Sequence, residues 1–443
     1  MALLTRKRQI TAKVEAAEGT FETGLDTATA PGDEGFDNAD FHVISPSMTP
    51  SPLLFDRNVV KGDLTPLDQF APGVAAIELS FGVELAGHVD NATADFVAPP
   101  LAKLLNACGF QSVPITPLGS FVDTAFDTGT VFKHGETLTG SPTASEQPCF
   151  GEHVAALDAT SITDGRLWCY NVDTSPAPGN AETYTGGTTG TADTLDGTVG
   201  NDRWGFSPVS DPATVKSLSM IYFVDGKRMR IQGARGNAEF VFEHANPARI
   251  QFTFQGIVAS YIDGLLIPSP LIQQKTPLAS LGSGLKIADS GGGSIFSTVV
   301  YNSLSVNTNN TLTLREDSSD SDGWVAAAIS ARAMQGSINM DEVINTTYDI
   351  HTKMRLGTTQ AMRWHVGNAI TGTSANDGNN FYFRIPAFQW SSISEGNRDE
   401  VTVWDAQFTL GAGELAIDGD NAVSLGSDNE FIIYNVSEGD MNN

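Results

Sequence analysis

Two stretches of this chain alternate strictly between apolar and polar residues, and that rhythm limits the fold more than any other feature. In AIELSFGVEL (residues 76–85), Ile77, Leu79, Phe81, Val83 and Leu85 fall on one side and Glu78, Ser80, Gly82 and Glu84 on the other. RIQFTFQG (249–256) does the same, with Ile250, Phe252 and Phe254 against Gln251, Thr253 and Gln255. A period of two places one face of a strand on a core and leaves the other wet. YFRI (382–385), VTVWDAQFTL (401–410) and EFIIYNV (430–436) extend the pattern with β-branched and aromatic residues. With 40% hydrophobic residues and 24 Phe, the chain has enough apolar surface to build a core under such sheets. The expected class is mainly β.

Helical spacing is rarer. In PPLAKLLNACGF, Leu101, Leu104, Leu105 and Cys108 share one helix face, with proline before it and Gly109 after it. A second helix is predicted from Met340 to about Leu356, with Asn339 as its N-cap, Glu342 completing a capping box and Gly357 ending it. FVDGKRMRI reads as strand, Asp225-Gly226 turn, strand, and GARGN (233–237) as a further turn or bulge. Residues 173–201 carry little that could anchor a core, which predicts a long exposed loop or arm inside a polar insert of about 110–215. The proline-bearing stretch 265–284 reads as a linker, dividing the chain into 1–264 and 285–443. The two parts echo each other: strands, a short helix, more strands, then a closing strand containing Gln-Phe-Thr (251–253 and 407–409).

Charge and motifs narrow the function. The net charge is −27, from 52 acidic and 25 basic residues, and no Lys or Arg follows Arg398. Such a surface repels phosphate backbones, because adhesion to nucleic acid needs cations to displace counterions. A Walker loop fails: Ile221 stands where its first glycine belongs, and Arg228 follows Lys227. GAGELA (411–416) fits the dinucleotide spacing but leads into IDGDN, which starts no helix. DSSDSDG (317–323) resembles a calcium loop, yet Ile329 occupies the twelfth position from Ser318, so an acidic turn is expected. The seven histidines are scattered and the three cysteines form no C-x-x-C, which predicts reduced thiols and no metal site. The reading is a non-enzyme without cofactor. The start MALLTRKRQI is no secretion signal and no apolar run is long enough to span a membrane, so cytoplasmic assembly is expected.

Several segments, in order, resemble the tail tube proteins of long-tailed bacteriophages and related prophages. They are TRKRQITAKVEAAEGT, FDRNVVKGDLTPLDQFAPGVAAIELSFGVELAG, APPLAKLLNACGF and SMIYFVDGKRMRIQGARGNAEFVFEHANPARIQFTFQG, covering most of 1–264. In the second part GSINMDEV and ISEGNRDEVTVWDAQFTLGAGE are similar to the same kind of domain. The resemblance implies two tail-tube-type β-sandwich domains in tandem, each with a flanking short α-helix and long loops. It implies rings stacked into a hollow tube in the virion tail: homotrimers of pseudo-sixfold geometry for a duplicated chain, homohexamers for a single tube domain. It also implies contacts with tape measure, tail terminator and distal tail proteins, and phage DNA passing without specific binding. Candidate lumen-facing residues are Glu78, Glu84, Gln251, Thr253 and Gln255. Candidate inter-subunit residues are Lys227, Arg228, Arg230 and Arg235. A phage capsid or decoration protein, or a β-rich carbohydrate-binding module, fits the same composition.

Overall fold

The structure is a computed structural model that describes residues 8–22, 42–52, 54–58, 67–70, 75–87, 99–121, 137–141, 146–154, 165–170, 183–186, 192–196, 203–211, 214–263, 277–289, 295–296, 299–320, 323–367, 380–411 and 430–436. It is mainly β, its sheets are antiparallel, and two short helices occur among the described residues.

Strand order repeats. In the first half the neighbours run Arg8–Val14, Leu218–Val224, Lys227–Glu243, Arg249–Asp263, Ala75–Glu84, Val43–Pro52. In the second they run Lys286–Asp289, Gln360–Val366, Asn380–Arg398, Val401–Leu410, Gln335–Asp341, Tyr301–Asn307. The chain visits corresponding strands in the same sequence. Each half also carries a helix at the corresponding place, Ala102–Ala107 and Ile350–Leu356. A small two-stranded hairpin joins the corresponding strands: Phe55–Asn58 with Leu67–Phe70, and Asn310–Glu316 with Trp324–Arg332. Both Gln-Phe-Thr triplets fall on the corresponding strand, with Phe252 opposite Phe81 and Phe408 opposite Gly336. The first six-stranded sheet curls around its own core, since Arg8 on its first strand donates from Nη1 to the Pro46 carbonyl on its last at 2.8 Å.

Two described ladders join the halves: Arg203–Pro208 pairs with Ile432–Val436, and a second lies between the two repeated strand sets. Residues 239–243 pair with 303–307, from Glu239 opposite Asn307 to Glu243 opposite Ser303. The core is continuous across that junction: Phe240 lies 5.1 Å from Phe431, 6.2 Å from Phe383 and 6.3 Å from Phe110, centroid to centroid. Of the stretch expected as a linker, 265–276 lies outside the described residues. The rest bridges both halves: Leu278 donates to the Leu85 carbonyl at 3.2 Å and accepts from the Ala248 amide at 2.8 Å, while the Ser283 carbonyl accepts from the His365 amide at 2.9 Å.

Three sequence expectations change. The second helix spans only Ile350–Leu356, because residues 335–341 already alternate as a strand with Gly336, Ile338 and Met340 buried. Its N-cap is Asp349, which accepts from the Thr352 amide at 3.0 Å, and not Asn339, which sits in the strand; Gly357 ends it at φ 61° as expected. The hydrogen bond from Thr352 also holds the Asp349 carboxyl below its usual value. Within 173–201, Thr183–Gly186 and Ala192–Asp196 are strands, with Tyr184 buried, and not a free arm. They complete a closed circuit of pairing through Phe110–Phe121, Gly165–Tyr170, Glu146–Val154 and Thr137–Ser141, the last strand returning to the first. Arg203–Pro208 stitches this circuit to Ile432–Val436 and so to Asn380–Arg398.

Candidate functional site

The cross-strand register brings all five lumen candidates onto one face. Glu78 stands opposite Gln255, Ser80 opposite Thr253, Gly82 opposite Gln251 and Glu84 opposite Arg249. Residues directly opposite in an antiparallel pair share a face, so the register extends it strand by strand. Thr49 and Ser47 continue it on one side of Glu78 and Ser80. On the other side it runs through Asn237 and Glu239 into Asn307, Ser305 and Ser303. From there it passes to Gln335, Ser337 and Asn339, then Thr409, Gln407 and Asp405, and ends on Gln389, Ser392 and Ser394. Eight strands from both halves present one polar surface, roughly 34 Å wide at about 4.8 Å per strand.

The opposite side of the same strands is the core. Phe81, Phe252, Phe240, Leu304, Ile338 and Phe408 are buried there, which fixes the register because a slip of one residue would exchange the faces. Short polar contacts tie the wet face together: Gln251 Nε2 donates to Ser80 Oγ at 3.4 Å, and Ser305 Oγ and Ser337 Oγ lie 2.9 Å apart. Its charges lean acidic. Glu78, Glu84, Glu239 and Asp405 project from it, while Arg249 is held by Glu243 at 3.3 Å and Arg398 by Asp341. Cations so engaged are poorly placed to grip a passing polyanion.

The basic candidates separate. Lys227 is exposed just after the turn, where Asp225 and Gly226 both take positive φ (31° and 96°) as a two-residue hairpin requires. Arg228 follows it on the same strand, and the Arg230 guanidinium lies 5.2 Å from the Phe21 ring centroid. Arg235 is buried: Nη1 donates to Glu18 at 2.6 Å and to the Ala327 carbonyl at 2.7 Å, and Nη2 to the Val215 carbonyl at 3.1 Å. It clamps the chain internally. GARGN is the expected bulge, set within one long strand where the register shifts between Gln232 and Arg235.

A second buried cluster escaped the sequence reading. The Glu15 carboxylate accepts from Ser217 Oγ at 2.6 Å, Ser219 Oγ at 3.0 Å, the Gly233 amide at 2.7 Å and the Gly19 amide at 2.8 Å. The partners come from the turn at Gly19, the start of Leu218–Val224 and the bulge at Gly233, so the cluster pins residues 15–22 to the bulge. Nothing in local periodicity marks Glu15, because three of its four donors, Ser217, Ser219 and Gly233, lie far along the chain. Among the described residues no group of three or more His, Cys, Asp or Glu could hold a metal ion, and no helix is long and apolar enough to cross a membrane. Cys108 is buried, and burial pushes its thiol well above the ordinary value.

No protein-family model matches the chain, and no match to it is found among curated proteins.

Proposed function

We propose that this protein is a structural subunit of a bacteriophage tail tube, built of two tail-tube-type domains in tandem, and that its polar sheet face lines the channel through which DNA leaves the virion. One observation carries the reading: eight strands from two topologically matching halves form a single wet face of Ser, Thr, Asn and Gln with projecting acids. A surface of this kind offers DNA hydrogen-bonding side chains without free cations, so a duplex slides past with little adhesion. Three copies would supply 24 strands, which close into a cylinder about 37 Å between backbones if untilted and wider with tilt. That leaves room for duplex DNA inside the side chains. Closure would also remove the sheet edges that invite aggregation. On this reading the chain is not an enzyme, assembles in the host cytoplasm, and meets tape measure, terminator and distal tail proteins at the ends of the tube.

Negative-stain electron microscopy of the purified full-length chain across a concentration series tests it. Hollow rings or tubes with threefold top views are expected. Compact monomers at every concentration would overturn the assignment.

A further inference from the structure

Within the chain, the second half docks on the first in a defined way. Residues 303–307 extend the sheet at 239–243, and the hairpin that follows, 310–332, lies over the first half. Asn310 Nδ2 donates to the Cys108 carbonyl at the end of the first helix at 2.8 Å and to the Gly236 carbonyl at 2.9 Å. Arg332 Nη1 donates to the Val209 carbonyl at 3.0 Å, and Ala326 packs against Gly233 so closely that a Cβ there would meet it at 2.9 Å. The helix end at Cys108 is buried as a result.

Among the described residues, the corresponding surfaces at the two ends of the molecule lack this cover. Asn380–Arg398 pairs with Gln360–Val366 up to Phe388; beyond it, no described strand pairs with that edge over 391–398. In the first half the same edge receives 303–307. Leu356 precedes the helix-ending Gly357 as Cys108 precedes Gly109, yet Leu356 is 69% exposed. At the opposite end, among the described strands Val43–Pro52 forms a ladder with Ala75–Glu84 alone, its Pro46 carbonyl also accepting from Arg8, and the Phe55–Asn58 hairpin pairs with no further described strand. Leu54 and Phe55 are 49% and 50% exposed. One end has an open acceptor; the other has the element that fits it.

We infer that a second copy of this chain fills it, repeating between molecules the contact made within one. The first part of Val43–Pro52 adds to residues 392–396 of the next copy, and the hairpin beginning at Phe55 covers that copy's helix end at Leu356. The register follows from the repeat. Ser392 faces Gln407 as Glu239 faces Gln251, and Ile44 faces Gly82 as Ser305 faces Ser337. Val241 pairs with Ser305 inside the chain, so Ser394 pairs with Ile44 between chains. Pro46, Pro50 and Pro52 donate no N–H, and the register against Ala75–Glu84 shifts between Ile44 and Ser47, so the ladder is confined to the residues about Ile44. The contact is head-to-tail, so it propagates from copy to copy until it closes; closure as a threefold ring rests on the tube reading above.

Paired cysteines test the register, since opposed Cα atoms at about 4.5–5.5 Å lie within disulfide reach. Full-length chain carrying Ile44→Cys and Ser394→Cys together is assembled and mildly oxidised. Covalent dimers and trimers are expected, while wild type and each single variant stay monomeric on a denaturing gel. A second variant, Leu54→Asp with Phe55→Asp, keeps the wild-type melting temperature and raises the concentration needed for assembly at least about tenfold. Linking by Ile44→Cys alone, assembled particles of the double variant that do not link, or a wild type that never assembles would overturn the inference. Tubes without links refute the register and leave the tube reading standing; linked oligomers that never form tubes refute the tube reading and leave the register standing.

Discussion

Truncation of Phe240 to alanine tests whether the two halves share one cooperative core. Phe240 is buried on the strand where the halves meet, opposite Ile250 of the first half and Val306 of the second. Its ring touches Phe110 of the first half and Phe383 and Phe431 of the second. A buried Phe→Ala change costs about 3–5 kcal/mol through lost transfer energy and the cavity left behind. At about 1.4 kcal/mol per decade, amide protection in globally exchanging segments should fall by roughly 2 to 3.5 powers of ten. Hydrogen exchange by mass spectrometry can follow peptides from Arg249–Asp263 and Val401–Leu410 side by side. Both should lose protection together and by the same factor. If the first peptide accelerated and the second kept wild-type protection, the halves would be separable domains, and the argument from a continuous core would fail.

Two further outcomes are expected. Burial, and secondarily Arg363, lowers the affinity of His365 for its proton. The unfolded chain therefore takes up more protons, so the stabilisation from a neutral His365 is complete above about pH 6.5 and is lost as pH falls toward the folded value. Denaturation midpoints should drop between pH 7.5 and 5.5 by more in wild type than in His365→Gln; equal drops would refute the assignment. In assembled tubes, Glu78→Lys, Glu239→Lys and Asp405→Lys together should make the wet face retain duplex DNA that wild type releases. Retention should weaken with salt at a slope of about −0.9 per cation engaged, and sedimentation at two salt concentrations measures it; retention indifferent to these changes would remove the face from the channel.

What the sequence exposed and what it hid follow one division. Strands whose burial is set by their own alternation, such as Ala75–Glu84 and Val401–Leu410, were legible, as were the Asp225-Gly226 turn and the first helix. Residues whose environment is supplied from far along the chain were not. Arg235 looked like one more surface cation in a basic run, yet hairpin 310–332 and Glu18 enclose it. Asn339 looked like a cap because Glu342 follows at capping-box spacing, but its neighbours Ile338 and Met340 are committed to the core as a strand. The polar face was half legible: Glu78, Glu84, Gln251, Thr253 and Gln255 came from the first half, and their continuation through Ser305, Ser337, Gln407 and Ser392 came only from pairing.

Fusing two repeats changes how a ring of this kind would assemble. The junction at 239–243 and 303–307 is a short ladder, and a short ladder between separate molecules must overcome the loss of translational and rotational freedom. Within one chain that loss is met during folding, and the effective concentration of the second repeat is set by its tether. The hairpin 310–332, Asn310 and Arg332 can then lock the junction without needing to recruit a partner. On the proposed tube reading, a duplicated subunit would leave one such contact per chain to be made between copies, where single-repeat subunits would need two to build the same circumference. The exposed Leu54, Phe55 and Leu356 are consistent with that division: one junction is already covered, and the apolar groups that would cover the other remain at the ends of the molecule.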